Sequence, residues 1–177
     1  MNDRRLPAKA ALIAVLAALL TACAGDRDPP PGQPSFYRSL ASPGAELDAI
    51  VAASMISGYR QNNGLTTVEI DPVLMRLAGE QARAMAQRDK LDHNVGRDFK
   101  TRIGSSGFDA KVAVENVSAG YHTLAEAFSG WRDSAPHRAN MLKSGVTRMG
   151  IAAIYAPGSK YKVFWALILA APDDRRG

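Results

Sequence analysis

The chain contains a single cysteine, Cys23, so no disulfide can form within the protein. Many small exported domains rely on disulfides because their cores are too small to hold them alone. Here the residues that follow Cys23 must be held together by packing of apolar side chains. They are numerous enough for one domain with a core of its own.

The first 22 residues have the pattern of an export signal. The basic residues Arg4, Arg5 and Lys9 precede an uncharged apolar run over residues 10–20. This run is too short to cross a bilayer as a stable helix, and a basic start followed by such a run is typical of a signal peptide. We therefore predict that residues 1–22 are removed.

The end of this segment, Leu20-Thr21-Ala22-Cys23, resembles a bacterial lipobox. In such a sequence the cysteine is acylated and becomes the new N-terminus, and two or more acyl chains give durable anchoring. The alternative is an ordinary secretory signal in which Cys23 has no role. We expect a lipoprotein of the cell envelope whose domain faces the periplasm or the exterior, and Ala24 favours the outer membrane in a Gram-negative cell.

The charge of the chain argues against nucleic acid as a partner. The formal net charge is +5, and removal of residues 1–22 takes away three basic residues and one acid, which leaves +3. Basic residues never occur in runs longer than two, so no basic tract for phosphates is present.

Composition divides the remaining chain into three parts. Residues 23–43 contain five prolines and predict a lipidated cysteine on an extended, flexible tether. Residues 44–172 form the predicted domain, and residues 173–177 form a charged tail.

Helices are predicted in the first two thirds of the domain. Residues 46–62 carry apolar side chains on one face, and Asp71-Pro72 is a strong helix start that is followed by a second apolar face. A short helix or turn is predicted over residues 99–105. A capping box at Thr123 to Glu126 predicts another helix, whose inward face includes Trp131.

Strands are predicted mainly at the C-terminal end. Residues 112–117 suit a short strand, and the apolar runs 149–155 and 161–170 flank a five-residue loop, which indicates a β-hairpin. Helices followed by a terminal hairpin predict an α+β fold in which helices cover a sheet.

Several short motifs occur together in an order that is specific although each alone is weak. They are Ile56-Ser57-Gly58-Tyr59-Arg60, Gly64-Leu65, Asp71-Pro72-x-Leu74, Leu91-x-His93, Glu115-Asn116-Val117, Ser134-x-Pro136-His137-Arg138-x-Asn140-Met141-Leu142 and Met149-Gly150-Ile151. This order resembles the CAP superfamily, which includes the SCP-like, cysteine-rich secretory and pathogenesis-related 1 proteins, and its disulfide-free bacterial branch in particular. The resemblance runs from about residue 47 to residue 170 and implies a three-layer α-β-α sandwich.

The resemblance also implies a cleft. CAP domains of the animal and plant type line it with two histidines and two acids, and His93 and Glu115 match the first histidine and the first acid. His137 would be the second histidine in the bacterial branch. The second acid has no match, because Ser134 stands near its place. The expected cleft is therefore His93, Glu115 and His137, with Ser134 nearby.

Three interpretations of this cleft remain open from the residues alone. Two imidazoles and one carboxylate can supply three ligands to a divalent metal such as zinc, although no cofactor is required. The same groups can serve as a base and its orienting acid. They can also simply fix the packing of helices on the sheet. Ser134 is expected to cap a short helix that begins near Pro136, rather than to act as a nucleophile.

These interpretations give three hypotheses for function. The first is a module that binds a lipid, a peptidoglycan fragment or a protein partner at the envelope. The second is a metal-dependent hydrolase that resembles a peptidase, and the third is a structural envelope protein with a vestigial cleft. The first is favoured over an enzyme, because no nucleophile, base and orienting group follow one another in a recognisable motif.

The lipobox generates a direct prediction. Cys23→Ala should abolish signal processing and acylation, because the thiol that receives the lipid is lost. Labelling with a fatty acid analogue and fractionation of the envelope measure both effects. A variant that is still cleaved and still retained in membranes would show that Cys23 is not the anchor.

Overall fold

A computed structural model describes residues 32–173 of the chain. The chain divides into two units, residues 1–33 and residues 34–177, and the described part of the second unit forms the domain. The predicted signal peptide and Cys23 lie outside the described residues. Between residues 32 and 173, none of the helices has the length and apolar character needed to cross a membrane.

The described residues form five α-helices, four strands and one short 3₁₀ helix. The helices are α1 (Ala49–Gln61), α2 (Pro72–Arg88), α3 (Phe99–Gly104), α4 (Leu124–Asp133) and α5 (Ala135–Met141). The strands are β1 (Glu69–Ile70), β2 (Ala110–Ala119), β3 (Arg148–Ala156) and β4 (Lys162–Pro172), and the 3₁₀ helix is Ser35–Tyr37. This mixture confirms the predicted α+β class.

The four strands form one sheet in the order β1-β3-β4-β2. The short β1 pairs with β3 in parallel, whereas β3 with β4 and β4 with β2 are antiparallel. The hairpin of β3 and β4 is the one that the two apolar runs predicted. Strand β4 is central and is buried from Val163 to Ala171, because neighbouring strands flank it and helices cover both faces of the sheet.

Two apolar cores lie on opposite faces of the sheet. On one face α1 and α4 pack against it, and the rings of Trp131 and Trp165 meet edge to face with centroids 6.2 Å apart. On the other face α2 contributes Leu74 and Leu77, which pack with Phe164 and Ile168. The result is the three-layer α-β-α sandwich that the resemblance implied. Trp131 is fully buried within it, as its place on the inward face of α4 predicted.

The predicted helix starts are formed by the expected side chains. The Asp71 carboxylate accepts hydrogen bonds from the backbone N–H groups of Val73 (2.8 Å) and Leu74 (3.0 Å). Thr123 and Glu126 form a reciprocal capping box at the start of α4. The starts of α2 and α4 follow from local sequence, because each capping side chain accepts hydrogen bonds from backbone amides of the same turn.

The expected tether boundary at residue 43 is wrong. Leu40 is only 6% exposed within the core, and its backbone N–H donates to the carbonyl of His122 at 2.7 Å. The Ser35 hydroxyl donates to the Asp48 carboxylate at 3.0 Å. Residues 34–43 therefore belong to the domain, because Leu40 supplies core surface that a composition rich in proline conceals.

Three smaller boundaries also differ from expectation. Helix α1 begins at Ala49 rather than near residue 46, because Asp48 caps it by accepting from the N–H of Val51 at 3.0 Å. Strand β2 extends beyond 112–117 to Ala110–Ala119, because its full length pairs with β4. Asp173, in the predicted charged tail, is bonded to the domain, because its backbone N–H donates to the carbonyl of Asp109 at 2.9 Å.

Gly150 permits the closest approach between a helix and the sheet. A Cβ atom at this position would lie 2.1 Å from the backbone carbonyl carbon of Leu74 at the start of α2. Backbone atoms on both sides form this contact, so no side-chain rotation can relieve it. The motif Met149-Gly150-Ile151 thus places α2 directly on β3.

Gly150→Ala should lower the free energy of unfolding by about 1–3 kcal/mol, the usual cost of forcing an atom into a packed core. Gly79→Ala is a matched control in α2, where a new Cβ meets nothing within 4 Å. This control should raise stability by up to about 1 kcal/mol, because alanine favours helix. The urea midpoints of the two variants, compared at an unchanged denaturant slope, measure both changes in stability. If Gly150→Ala and Gly79→Ala change the midpoint equally, Gly150 has room for a side chain.

Candidate functional site

His93 lies in the loop that joins α2 to α3, and its backbone is held from two sides. The carbonyl oxygen of His93 accepts hydrogen bonds from Arg102 Nη2 at 3.1 Å and from Gln81 Nε2 at 3.3 Å. Gln81 Nε2 also donates to the carbonyl of Asp92 at 2.8 Å. These bonds fix the loop, so the imidazole of His93 projects from a defined backbone position.

Glu115 lies on β2 and makes the direct contact with His93. Its side chain is 1% exposed, and Oε1 lies 2.9 Å from His93 Nδ1. Since an ionised carboxylate can only accept, Nδ1 carries the hydrogen of this bond. Nε2 is therefore the ring nitrogen left for a ligand, on a side chain that remains 49% exposed.

Arg102, on α3, neutralises the buried carboxylate. Its Nη2 donates to Glu115 Oε2 at 2.8 Å and to Oε1 at 3.0 Å, and the Arg102 side chain is only 6% exposed. The guanidinium also lies over the ring of Phe99, 5.2 Å from its centroid. Both oxygens of Glu115 thus have partners before any ligand arrives.

Sequence reasoning missed Arg102. Arg102 Nε also donates to the backbone carbonyl of Arg97, four residues after His93, at 3.3 Å. An arginine in a six-residue helix carries no pattern that distinguishes it from a solvent-exposed one. Only the packing of α3 against β2 shows that Arg102 meets a carboxylate 13 residues later in the chain.

His137 lies on α5, and its backbone is attached to β2 next to Glu115. The carbonyl of His137 accepts from Asn116 Nδ2 at 3.0 Å, and Asn140 Nδ2 donates to the carbonyl of Glu115 at 3.0 Å and to Asn116 Oδ1 at 2.9 Å. These carboxamides connect α5 to β2 next to Glu115. The half-buried His137 and the His93–Glu115 pair are therefore parts of one region.

The pKa values of the two imidazoles are shifted in opposite directions. The hydrogen bond to Glu115 raises the pKa of His93 above its ordinary value, against the effect of partial burial. Burial lowers the pKa of His137, and the positive charge of His93 lowers it further. Glu115 thus stabilises the charged form of His93, whereas burial stabilises the neutral form of His137.

Ser134 occupies the N-cap position of α5, as predicted, but the predicted capping bond is absent. Its side chain accepts no hydrogen bond from the first turn of the helix. The backbone of Ser134 instead bonds to both neighbouring helices. Its N–H donates to the carbonyl of Gly130 in α4 at 3.2 Å, and its carbonyl accepts from the backbone N–H of Arg138 in α5 at 2.8 Å. Ser134 is the junction between α4 and α5.

The sequence pattern of the cysteine-rich secretory protein (CAP) family matches residues 53–169. The chain belongs to this family. The match includes His93, Glu115 and His137 and confirms the resemblance that the ordered motifs indicated.

The relatives differ in length from this chain. The uncharacterized protein YkwD of Bacillus subtilis (strain 168) is 31% identical over 103 residues, which cover 56% of this chain but only 40% of YkwD. An outer surface protein from Borrelia burgdorferi is similar in structure, with a TM-score of 0.65, 18% identity and coverage of 73% of this chain and 99% of that one. An extracellular protein with an SCP domain from Bacillus anthracis has a TM-score of 0.60 and 18% identity, and the match covers 69% of this chain and 39% of that one.

Metal binding by His93, Glu115 and His137 stays a prediction for this CAP domain. Within residues 32–173, no group of three or more histidine, cysteine, aspartate or glutamate side chains is arranged to hold a metal ion. Glu115 accepts hydrogen bonds from the guanidinium of Arg102 and from His93 Nδ1, so the atom that the His93–Glu115 pair leaves for a metal is His93 Nε2. Arg102 provides the positive charge that this buried carboxylate needs.

The hydrogen bonds of Glu115 to Arg102 and His93 also limit its acid–base chemistry. A carboxylate paired with arginine is a poor base, because protonation would break a buried ion pair. It can still orient His93 and hold one tautomer of the ring. The arrangement therefore presents His93 in a fixed orientation for recognition by its Nε2 atom.

Arg102→Met should destabilise the domain by about 3–5 kcal/mol, because it leaves Glu115 charged and buried without a cation. The double variant Arg102→Met, Glu115→Leu should recover part of this loss. Arg76→Met is the matched control, since Arg76 pairs with Glu80 at the surface and such pairs contribute less than about 1 kcal/mol. Denaturant unfolding measures the stability of all three variants. A double variant no more stable than Arg102→Met alone would contradict a buried ion pair.

Proposed function

We propose that the chain is an envelope lipoprotein, anchored through Cys23, whose CAP domain binds a polar component of the cell envelope at the cleft of His93, Glu115 and His137. The proposal assigns binding rather than hydrolysis to this cleft. The polar component that it names is a peptidoglycan fragment.

The observation that carries the proposal is that both carboxylate oxygens of Glu115 are already paired with side chains of this domain. Its two carboxylate oxygens accept from Arg102 and from His93 over 2.8–3.0 Å. Hydrolysis requires a base or a metal to activate water and donors for the developing negative charge. Here the buried acid stabilises structure, so binding by the remaining imidazole nitrogen is the activity that the geometry supports best.

The chemistry of the cleft favours a polar ligand over a lipid. A pocket for an acyl chain is lined mainly by apolar groups, with few polar ones. The side chains that define this cleft are imidazole, carboxylate and guanidinium, and His93 is half exposed. Such groups suit the hydroxyl, amide and carboxylate groups of a sugar–peptide fragment.

The length of the tether supports a partner in the envelope. Because residues 34–43 pack on the domain, only the segment from Cys23 to Pro34 remains as a connection. At about 3.3–3.6 Å per residue, eleven residues reach roughly 40 Å at most. A domain with this tether on a lipidated Cys23 would stay close to its membrane.

The test compares binding and turnover with single variants. The chain without residues 1–23 should sediment with insoluble peptidoglycan, and His93→Ala should weaken this binding by about tenfold or more, the loss expected for a charge-assisted hydrogen bond. His122→Ala is the matched control, because His122 is exposed and lies just before the capping box.

Two outcomes would contradict the proposal. Equal binding by the His93 and His122 variants would place recognition elsewhere. Release of peptide, ester or peptidoglycan products by the wild-type chain, but not by a variant altered at His93, Glu115 and His137 together, would establish a hydrolase instead.

A further inference from the structure

Among the described residues, Arg60 is a fully buried cation without an acidic partner. Its side chain lies at the end of α1 and is 0% exposed, and no carboxylate within residues 32–173 pairs with it. Burial lowers the pKa of Arg60, yet a guanidinium keeps its charge in proteins. Burying an unpaired charge is costly, so the bonds that compensate it must be strong and well placed.

Four backbone carbonyls compensate this charge. Arg60 Nε donates to the carbonyl of Thr66 at 2.9 Å. Nη1 donates to the carbonyls of Met141 and Lys143, each at 2.9 Å, and Nη2 donates to that of Val146 at 3.0 Å. Three of the four acceptors lie in the segment that ends α5 and leads into β3.

Besides its junction with α4 and the buried side chain of Met141, helix α5 is attached by two sets of side-chain hydrogen bonds. Near the sheet, Asn116 and Asn140 connect it to β2 beside Glu115. At its C-terminal end, Arg60 binds the carbonyl of Met141, the last residue of the helix. A helix of seven residues is not stable alone, so its position depends on these contacts.

The two attachments have different effects on the cleft. The carboxamides attach His137 and Asn140 of α5 to β2. Arg60 holds the carbonyl of the last residue, Met141, and the carbonyls of the segment that follows, although it makes no direct hydrogen bond to His93, Glu115 or His137. A shift of this end of the short helix would move the ring of His137 relative to His93.

We propose that Arg60 is a positioning residue of the cleft, which holds the C-terminal end of α5 through backbone carbonyls and thereby places His137 opposite His93. This role rests on the proposed function, because the placement of His137 matters only if the cleft binds a ligand. It also gives a physical role to the arginine of the Ile56-Ser57-Gly58-Tyr59-Arg60 motif, which sequence analysis left unassigned.

The test uses readouts that need no ligand, so its failure is distinct from failure of the proposed function. In Arg60→Gln, amide protons of α5 should exchange about tenfold or more faster relative to those of α2. The ring signals of His137 in NMR spectra should shift, whereas those of His93, held by Glu115 and Arg102, should not. Arg60→Lys keeps the charge and part of the hydrogen bonding, so it should restore both readouts in part.

Leu77→Ala is the matched control for loss of stability alone. Leu77 is buried on the opposite face of the sheet, so its truncation should destabilise the domain without moving α5. If Leu77→Ala shifts the His137 signals as much as Arg60→Gln does, the role of Arg60 is only structural. Unchanged His137 signals in Arg60→Gln would overturn the proposal. If Arg60→Gln does not fold, the His137 signals of Arg60→Lys are compared with those of Leu77→Ala instead.

Discussion

The ionised carboxylate of Glu115 is the constraint on which the site depends. It is 1% exposed on a central part of β2, and a charge in that position needs partners. Arg102 from α3 and His93 from the preceding loop provide them, and Arg102 also binds the carbonyl of His93. One buried charge therefore orders a loop, a short helix and a strand together, and the same bonds leave His93 half exposed in a single orientation.

A second buried charge organises the other side of the cleft. Arg60 binds carbonyls around the end of α5, as Arg102 binds the carbonyls of Arg97 and His93. Both arginines connect chain segments that lack regular hydrogen bonding, a task that disulfides perform in many exported domains. In a chain whose only cysteine precedes the domain, multidentate arginines are a consistent substitute, because one guanidinium offers five donors in fixed directions.

The outcome for individual residues shows which expectations sequence can support. The capping residues Asp71 and Thr123, the hairpin and the buried Trp131 were predicted because their signals are local or periodic. The contact of His93 with Glu115 came from the resemblance to CAP domains, since nothing in a 22-residue separation predicts it. The capping bond expected from Ser134 and the tether expected to reach residue 43 were wrong, because tertiary contacts of neighbouring segments decided both.

The sequence by itself therefore determined most of the secondary structure, the layered fold and the pairing of His93 with Glu115. It did so because helix caps, alternation and apolar faces act over a few residues, and because ordered motifs identify a family. Only the tertiary structure decided that Arg102 neutralises Glu115 and that Arg60 holds α5. Solitary arginines have no periodic signal, and whether such a side chain is solvated or buried against a carboxylate or a carbonyl depends on which distant segments the sheet brings beside it.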